Sequence, residues 1–396
     1  MLDVSTSLHA AALAWLAAHE AELIGWRREL HQHPEVANAE HRTTELILDV
    51  LTGLGLRPRR LSTGTGCFLD LNPGPGPVVA LRADIDALPL PDHKQVPYAS
   101  QHPGVCHACG HDAHTAILLG VASVLAGQPQ LPGPVRLIFQ PAEERMPGGA
   151  EVAVADGALV DVTRIFAVHC DPKLDVGHLG LRVGPITASF NQVELTVSGP
   201  GGHTARPHLT ADVVFALGKL ITELPGLLSR RIDPRAAVSL VWGAVNAGNA
   251  PNAIPTSGTL LGTVRMLDGQ YWDQLAGIIS ELAEQVVAPT GVELKVAYDP
   301  GVPAVVNDGE LVALQTRAVL AGFGPAALSD TPQSMGGEDF AWYLQTVPGA
   351  LARLGVRPVG GQAGDLHRSD FDIDEHALSV GVRYTAALLD EVFAAG

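Results

Sequence analysis

From Val105 to Thr115 the chain reads VCHACGHDAHT, which places Cys106, His107, Cys109, His111, Asp112 and His114 within eleven positions. Cys109 and His111 are two residues apart, close enough in a loop for thiolate and imidazole to reach one cation, and both are good ligands for zinc and other transition metals. Two other readings start from the same letters. Cys106 and Cys109 have the CxxC spacing of a redox pair, and a cysteine among histidines can be a nucleophile. A redox pair is expected to open a helix after a strand in a small domain. Here His111 and Asp112 follow at once in a much larger chain.

Three further stretches supply donors of the same kind. LIFQPAEE ends an apolar run on Glu143 and Glu144, and two adjacent carboxylates in a partly desolvated place need a cation or protons to compensate them. FAVHCD carries His169, and GDLHRSDF carries His367 beside acidic residues. Cys109, His111, Glu144, His169 and His367 are then five potential ligands on separate elements, more than one tetrahedral ion uses. Five ligands with a bridging water suit two neighbouring cations, leaving Glu143 to handle a proton. Zinc is the first expectation because of Cys109, with manganese, cobalt or nickel as alternatives. Asp112, beside His111, is placed to orient an imidazole or hold a loop, and Asp84 to organise its own loop or cap a turn. His114 reads as a helix residue, outside the ligand set.

The elements that must position these residues are legible in the hydrophobic pattern. The region from Ser5 to about Gly55 reads as helical, with Ser7 as a cap. CFLDL, PVVALRAD, PVRLIFQ and RIFAVHCD then read as strands, and His114 to Leu125 has helical spacing, so the expected fold class is α/β, a central sheet flanked by helices. The reactive residues fall at the ends of these runs, where ligands gather in open α/β sheets. From about Gly184 the order becomes β-α-β-β-α-β, a smaller ferredoxin-like domain. A helix around Gly309 to Ala321, the patch SMGGEDFAWYL and a final helix from Glu375 to Phe393 close the chain. The expected organisation is a catalytic metal-binding domain of residues 1–184 and 301–396, interrupted by a smaller inserted domain at 185–300, with two independent tandem domains as the alternative.

Composition bounds the partners. A net charge of -17 gives no attraction toward nucleic acid or anionic lipid. No apolar run approaches the ~20 residues that span a bilayer, and the first residues lack the basic region of a signal peptide. The expectation is a cytoplasmic protein with no membrane partner. Its four cysteines, in a chain of 396 residues, are a poor disulfide framework.

HACGHDAHT, QPAEE, GGHTARPH at 201–208, GTVR at 262–265, GGEDF at 336–340 and LHRSDF at 366–371 together resemble the metal-dependent aminoacylase and carboxypeptidase family, in its hippurate hydrolase and plant auxin-conjugate amidohydrolase branch. WRRELHQHPE at 26–35 and RADIDALP at 82–89 extend the likeness over nearly the whole chain. The resemblance implies two metal ions on Cys109, His111, Glu144, His169 and His367, with Glu143 as general base. It further implies that His203 stabilises an oxyanion, that Asn252 and Arg265 bind a substrate carboxylate, and that the inserted domain makes a homodimer. The implied reaction cleaves the amide of an N-acyl amino acid to a carboxylate and a free amino acid. Diaminopimelate deacetylation, dipeptide cleavage and carbamoyl amino acid hydrolysis are alternatives on one scaffold, and a non-enzymatic metal-binding protein is the rival from another class. Cys106 stands where methionine is common, Thr204 where alanine is, and LPDHKQ at 90–95 lacks a frequent glutamate.

Overall fold

The computed structural model describes residues 7–74, 76–146, 148–362 and 364–395, so the helical start expected at Ser5 lies outside the described residues. The chain forms two compact units. One comprises Met1–Gly184, Val306–Pro332 and Trp342–Gly396, the other Pro185–Val305 and Gln333–Ala341.

The first unit is built on an eight-stranded mixed sheet. Its centre is four mutually parallel strands in the order Val135–Gln140, Val78–Asp84, Val162–Asp175, Gly349–Arg357. Val78–Asp84 and Val135–Gln140 are buried at every position, the pattern of strands covered on both faces. The helices Leu8–Gln32, His111–Ala126 and His376–Ala394 pack against one another beside the sheet. Leu8–Gln32 begins where the Ser7 side chain accepts the Ala10 N–H, and buries Leu8, Ala12, Leu16, Leu23 and Leu30 along one stripe. Arg27 lies on the same stripe, so this helix carries a charge into the core.

The second unit is a four-stranded antiparallel sheet in the order Ser239–Ala247, Ser257–Arg265, Phe190–Ser198, Glu293–Val302. In Phe190–Ser198 the buried residues are Asn191, Val193, Leu195 and Val197, a strict alternation that turns one face toward the helices Val213–Arg231 and Leu275–Val287. The ferredoxin-like order expected from the alternating runs is what the chain adopts. Gln333–Ala341, which carries the SMGGEDF patch, folds with this unit: Ser334 accepts the Ala188 N–H and Gly337 packs on Phe190. Among the described residues no helix is long and apolar enough to cross a membrane.

Candidate metal centre

The turn into the helix His111–Ala126 delivers Cys109 and His111 to one place. Gly110 between them has φ 89°, and a Cβ there would meet the Cys170 Sγ at 2.8 Å, so the convergence needs glycine. His367 arrives from a distant loop whose N–H donates to the Ala108 carbonyl at 2.7 Å. Glu143 and Glu144 follow the strand Val135–Gln140, and His169 lies within Val162–Asp175.

Both buried imidazoles are oriented from behind. His111 Nδ1 lies 3.0 Å from the Asp86 carbonyl oxygen, and His169 Nδ1 lies 2.8 Å from that of Cys170. With those protons donated to the backbone, each ring turns an Nε2 lone pair toward the cluster. His169 Nε2 is 3.6 Å from the Cys109 Sγ, and His367 Nε2 is 3.3 Å from Glu144 Oε1. His111 Nε2 stands 3.9 Å from both Glu143 Oε2 and Glu144 Oε1.

Cys109, His111 and His169 offer donor atoms within 4.8 Å of one another, and so do Cys109, Glu144 and His367. Two donor groups sharing one thiol are a binuclear divalent-metal site. The fit is supported by a buried atom, His111 Nε2, that has no hydrogen-bond partner. Such an orphan costs about 1–3 kcal/mol, and ligation removes that cost. The charges agree. Burial and the Glu144 and Glu143 carboxylates hold the Cys109 thiol well above its ordinary range. Burial by itself would lower His111, but Asp84, Asp86 and Glu144 outweigh it and push the ring up to about 10. The cluster is thus rich in carboxylate charge that a dication balances, and loading requires protons to leave Cys109 and His111. Metal uptake at neutral pH is therefore expected to release protons and to tighten as pH rises. Cys109→Ser should lower retained metal on the order of 10- to 100-fold. Inductively coupled plasma analysis after dialysis checks this; unchanged metal in the serine variant would remove Cys109 from the ligand set.

Surrounding carboxylates hold this frame. Asp84 is fully buried, takes Arg82 Nη1 at 2.7 Å and lies 2.6 Å from His114 Nδ1, while His114 Nε2 accepts the Cys170 N–H at 2.9 Å. Asp112 faces away from His111: its Oδ2 takes Arg27 Nε and His31 Nδ1, both at 2.7 Å, tying the first helix to the start of the helix that carries His111. Arg27 also donates to Asp372 at 2.7 Å. Asp86, Arg27 and His31 escaped the sequence reading although RADIDALP and WRRELHQHPE contain them. The Asp86 carboxylate accepts the N–H of Glu143 and of Glu144, each at 3.0 Å, one on each oxygen. The available signal was the two-residue spacing of Asp84 and Asp86, which runs past the end of a buried strand.

His203, Asn252 and Arg265 belong to the second unit. His203 is exposed on the short ladder Gly202–His203 with Ala253–Ile254, where it pairs with Ala253, so Asn252 is next to it. The His203 Nδ1 accepts the Ala205 N–H at 3.0 Å, which leaves the ring proton on Nε2, an outward donor. Arg265 stands elsewhere. It ends the strand Ser257–Arg265, its guanidinium 4.8 Å from the Phe190 ring and donating to the Met335 carbonyl. The ladder of His203 lies past the other end, where Ser257 pairs with Ser198. Eight strand steps of ~3.3 Å separate the two ends by ~26 Å. The structure brings His203 and Asn252 together and leaves Arg265 far from both.

Known proteins agree with this construction. A Bacillus subtilis protein named N-acetyl-L-cysteine deacetylase is 38% identical over 92% of this chain and 86% of its own length. A Rhodococcus jostii protein provisionally named glutamate–cysteine ligase 2-3 is 48% identical over 93% of this chain, which spans only 46% of that protein. A solved Bacillus subtilis structure, described as a dinuclear metal binding peptidase from the M20 family, superposes with a TM-score of 0.83 at 33% identity, covering 96% of this chain and 99% of that one. Peptidase family M20/M25/M40 matches residues 80–391. With a binuclear site assembled from side chains of its α/β unit, the chain belongs to peptidase family M20/M25/M40 and is a metal-dependent hydrolase.

Proposed function

We propose that the protein hydrolyses the amide bond of N-acyl amino acids. The observation that carries the reading is the unequal placement of two adjacent carboxylates: both lie near His111, but Glu144 shares a donor group with Cys109 and His367 that the buried Glu143 does not join. In this reading Glu144 ligates and Glu143 moves a proton. Held by Cys109, His111, Glu144, His169 and His367, two divalent cations supply Lewis acidity toward water and the acyl carbonyl. The thiolate favours zinc, and the imidazole and carboxylate donors also accept manganese, cobalt or nickel.

Glu143 takes the proton of the attacking water and returns it to the leaving nitrogen. His203 donates its Nε2–H to the oxyanion, and Asn252 and Arg265 hold the α-carboxylate. Because Arg265 ends one strand of the sheet and the ladder of His203 lies past that strand's opposite end, this reading assigns His203 and Asn252 of each site to a second copy of the chain in a homodimer. The edge strand Ser239–Ala247 supports that assembly, since it is paired on one side only and exposes Val241 and Val245.

The test is a liquid-chromatography screen of acetyl, benzoyl, long-chain acyl and indoleacetyl amino acids. N-acetylcysteine is included because the Bacillus subtilis relative bears that name. Diaminopimelate derivatives, dipeptides and carbamoyl amino acids complete the panel. Hydrolysis confined to the last three would replace the proposal, and no hydrolysis by metal-replete protein would favour a binding role. The same assay reads Arg265→Lys, which keeps the charge but loses the planar fork that Phe190 and Met335 orient. Loss of a charge-assisted pair predicts on the order of a 10- to 100-fold drop in kcat/KM on an acyl amino acid. The α-amide of the same compound should be much less affected. Equal losses on both would make Arg265 structural.

A further inference from the structure

Glu40 is a buried carboxylate with no place in the chemistry above. It stands immediately before the helix His41–Gly53, in the position of an N-cap, yet its side chain makes no capping bond to that helix. A residue serving its own helix would accept one of the first free N–H groups. Glu40 instead sends Oε1 across the molecule to the Ala142 N–H, 2.8 Å away and 102 positions later in the chain. Its carboxylate is fully buried, and burial pushes it above the usual range while nearby backbone N–H groups, that of Ala142 among them, favour its charged form.

Ala142 is the pivot of the loop that carries Glu143 and Glu144. Its φ of 56° is left-handed, a conformation that costs a non-glycine residue about 1–2 kcal/mol. Three consecutive N–H groups of this loop are each held by a carboxylate oxygen: Ala142 by Glu40 at 2.8 Å, Glu143 and Glu144 by Asp86 at 3.0 Å. Behind it, the Ala142 carbonyl accepts the Gly149 N–H at 3.1 Å, and a Cβ on Gly149 would meet the Pro141 oxygen at 1.9 Å. The base of the peg is itself fastened. Thr44 Oγ1 donates to the Glu40 carbonyl at 2.6 Å and accepts the Gly66 N–H at 2.9 Å.

We infer that Glu40 is a positioning residue for the hydrolysis, holding the Ala142 peptide in its left-handed turn so that the adjacent Glu143 is set for proton transfer. The inference rests on Glu143 as the general base. Without the Glu40 oxygen the peptide relaxes toward negative φ, and the first displacement falls on Glu143, the next residue. A misplacement of about 1 Å costs up to about 100-fold in rate.

The experiment uses the full chain, metal-replete, with the acyl amino acid hydrolysed fastest in the screen. Glu40→Ala should lower kcat by about 10- to 100-fold with KM within about threefold and metal content unchanged. Glu40→Gln, whose amide oxygen can still accept the Ala142 N–H, should restore most of kcat. In a Glu143→Gln background, Glu40→Ala should cost less than about threefold more, because the group it positions is gone. Should Glu40→Ala not fold, Glu40→Asp carries the same cycle: it keeps charge and a favoured N-cap but withdraws the oxygen by one methylene. Overturning results are a full additional loss in the Glu143→Gln background, metal loss parallel to rate loss, or an aspartate variant that is normal while the glutamine variant is impaired. If Glu143→Gln is itself near normal, the general-base reading falls, and the Glu40 assignment with it. If Glu143→Gln is slow but the losses add, only the Glu40 assignment falls.

Discussion

Glu143→Gln is expected to retain its metal and to lose about 10²- to 10⁴-fold in kcat, the range of a general-base contribution. Glutamine keeps the size of the side chain and leaves the backbone bond to Asp86 in place, so the loop should keep its shape. What it loses is the ability to take a proton from water at neutral pH. Glu144→Gln is the control, because its carboxylate oxygen lies 3.3 Å from His367 Nε2 and belongs to the Cys109 donor group. That variant should shed metal first and lose rate as a consequence. Metal analysis beside steady-state kinetics separates the two, and near-normal turnover of fully loaded Glu143→Gln would defeat the assignment.

The second large effect concerns two chains at once. His203→Ala should lower kcat by about 10²- to 10³-fold, as loss of one oxyanion donor does, while keeping metal, since His203 lies outside the unit that holds the ligands. Mixed with Glu143→Gln protein and allowed to exchange subunits, it should recover activity. Each heterodimer then contains one site with intact Glu143 on one chain and His203 of the partner subunit. Equal mixing makes half the dimers heterodimers with one intact site of two, or about one quarter of the wild-type sites. Native mass spectrometry establishes the exchange, and activity should rise with the heterodimer fraction. Confirmed heterodimers without recovery would return His203 to its own chain or to a structural role.

Much of this protein was decided within short windows of sequence. The runs CFLDL, PVVALRAD, PVRLIFQ and RIFAVHCD are strands because apolar residues, several of them β-branched or aromatic, sit in short blocks, and the second unit follows the two-residue alternation of Phe190–Ser198. Donor chemistry was equally local: thiol, imidazole and carboxylate are what a divalent cation needs, and Cys109 and His111 flank the one glycine that lets them converge. Gly349–Arg357, the fourth parallel strand, escaped notice because GALARLGVR is rich in alanine and glycine, residues of low strand propensity. It is a strand because Val162–Asp175 pairs with it and the core covers it. Only the tertiary structure decided which carboxylates hold the site. Asp86 and Glu40 read as ordinary acids beside a strand and a helix, and Asp112 as a neighbour of His111. Their partners are the backbone of Glu143 and Glu144, the N–H of Ala142, and Arg27 with His31. Periodicity reports which face of an element is buried, because burial repeats with the turn of the helix or the pleat of the strand. It carries no record of which distant group a polar side chain meets, since that follows from the order in which strands and helices pack.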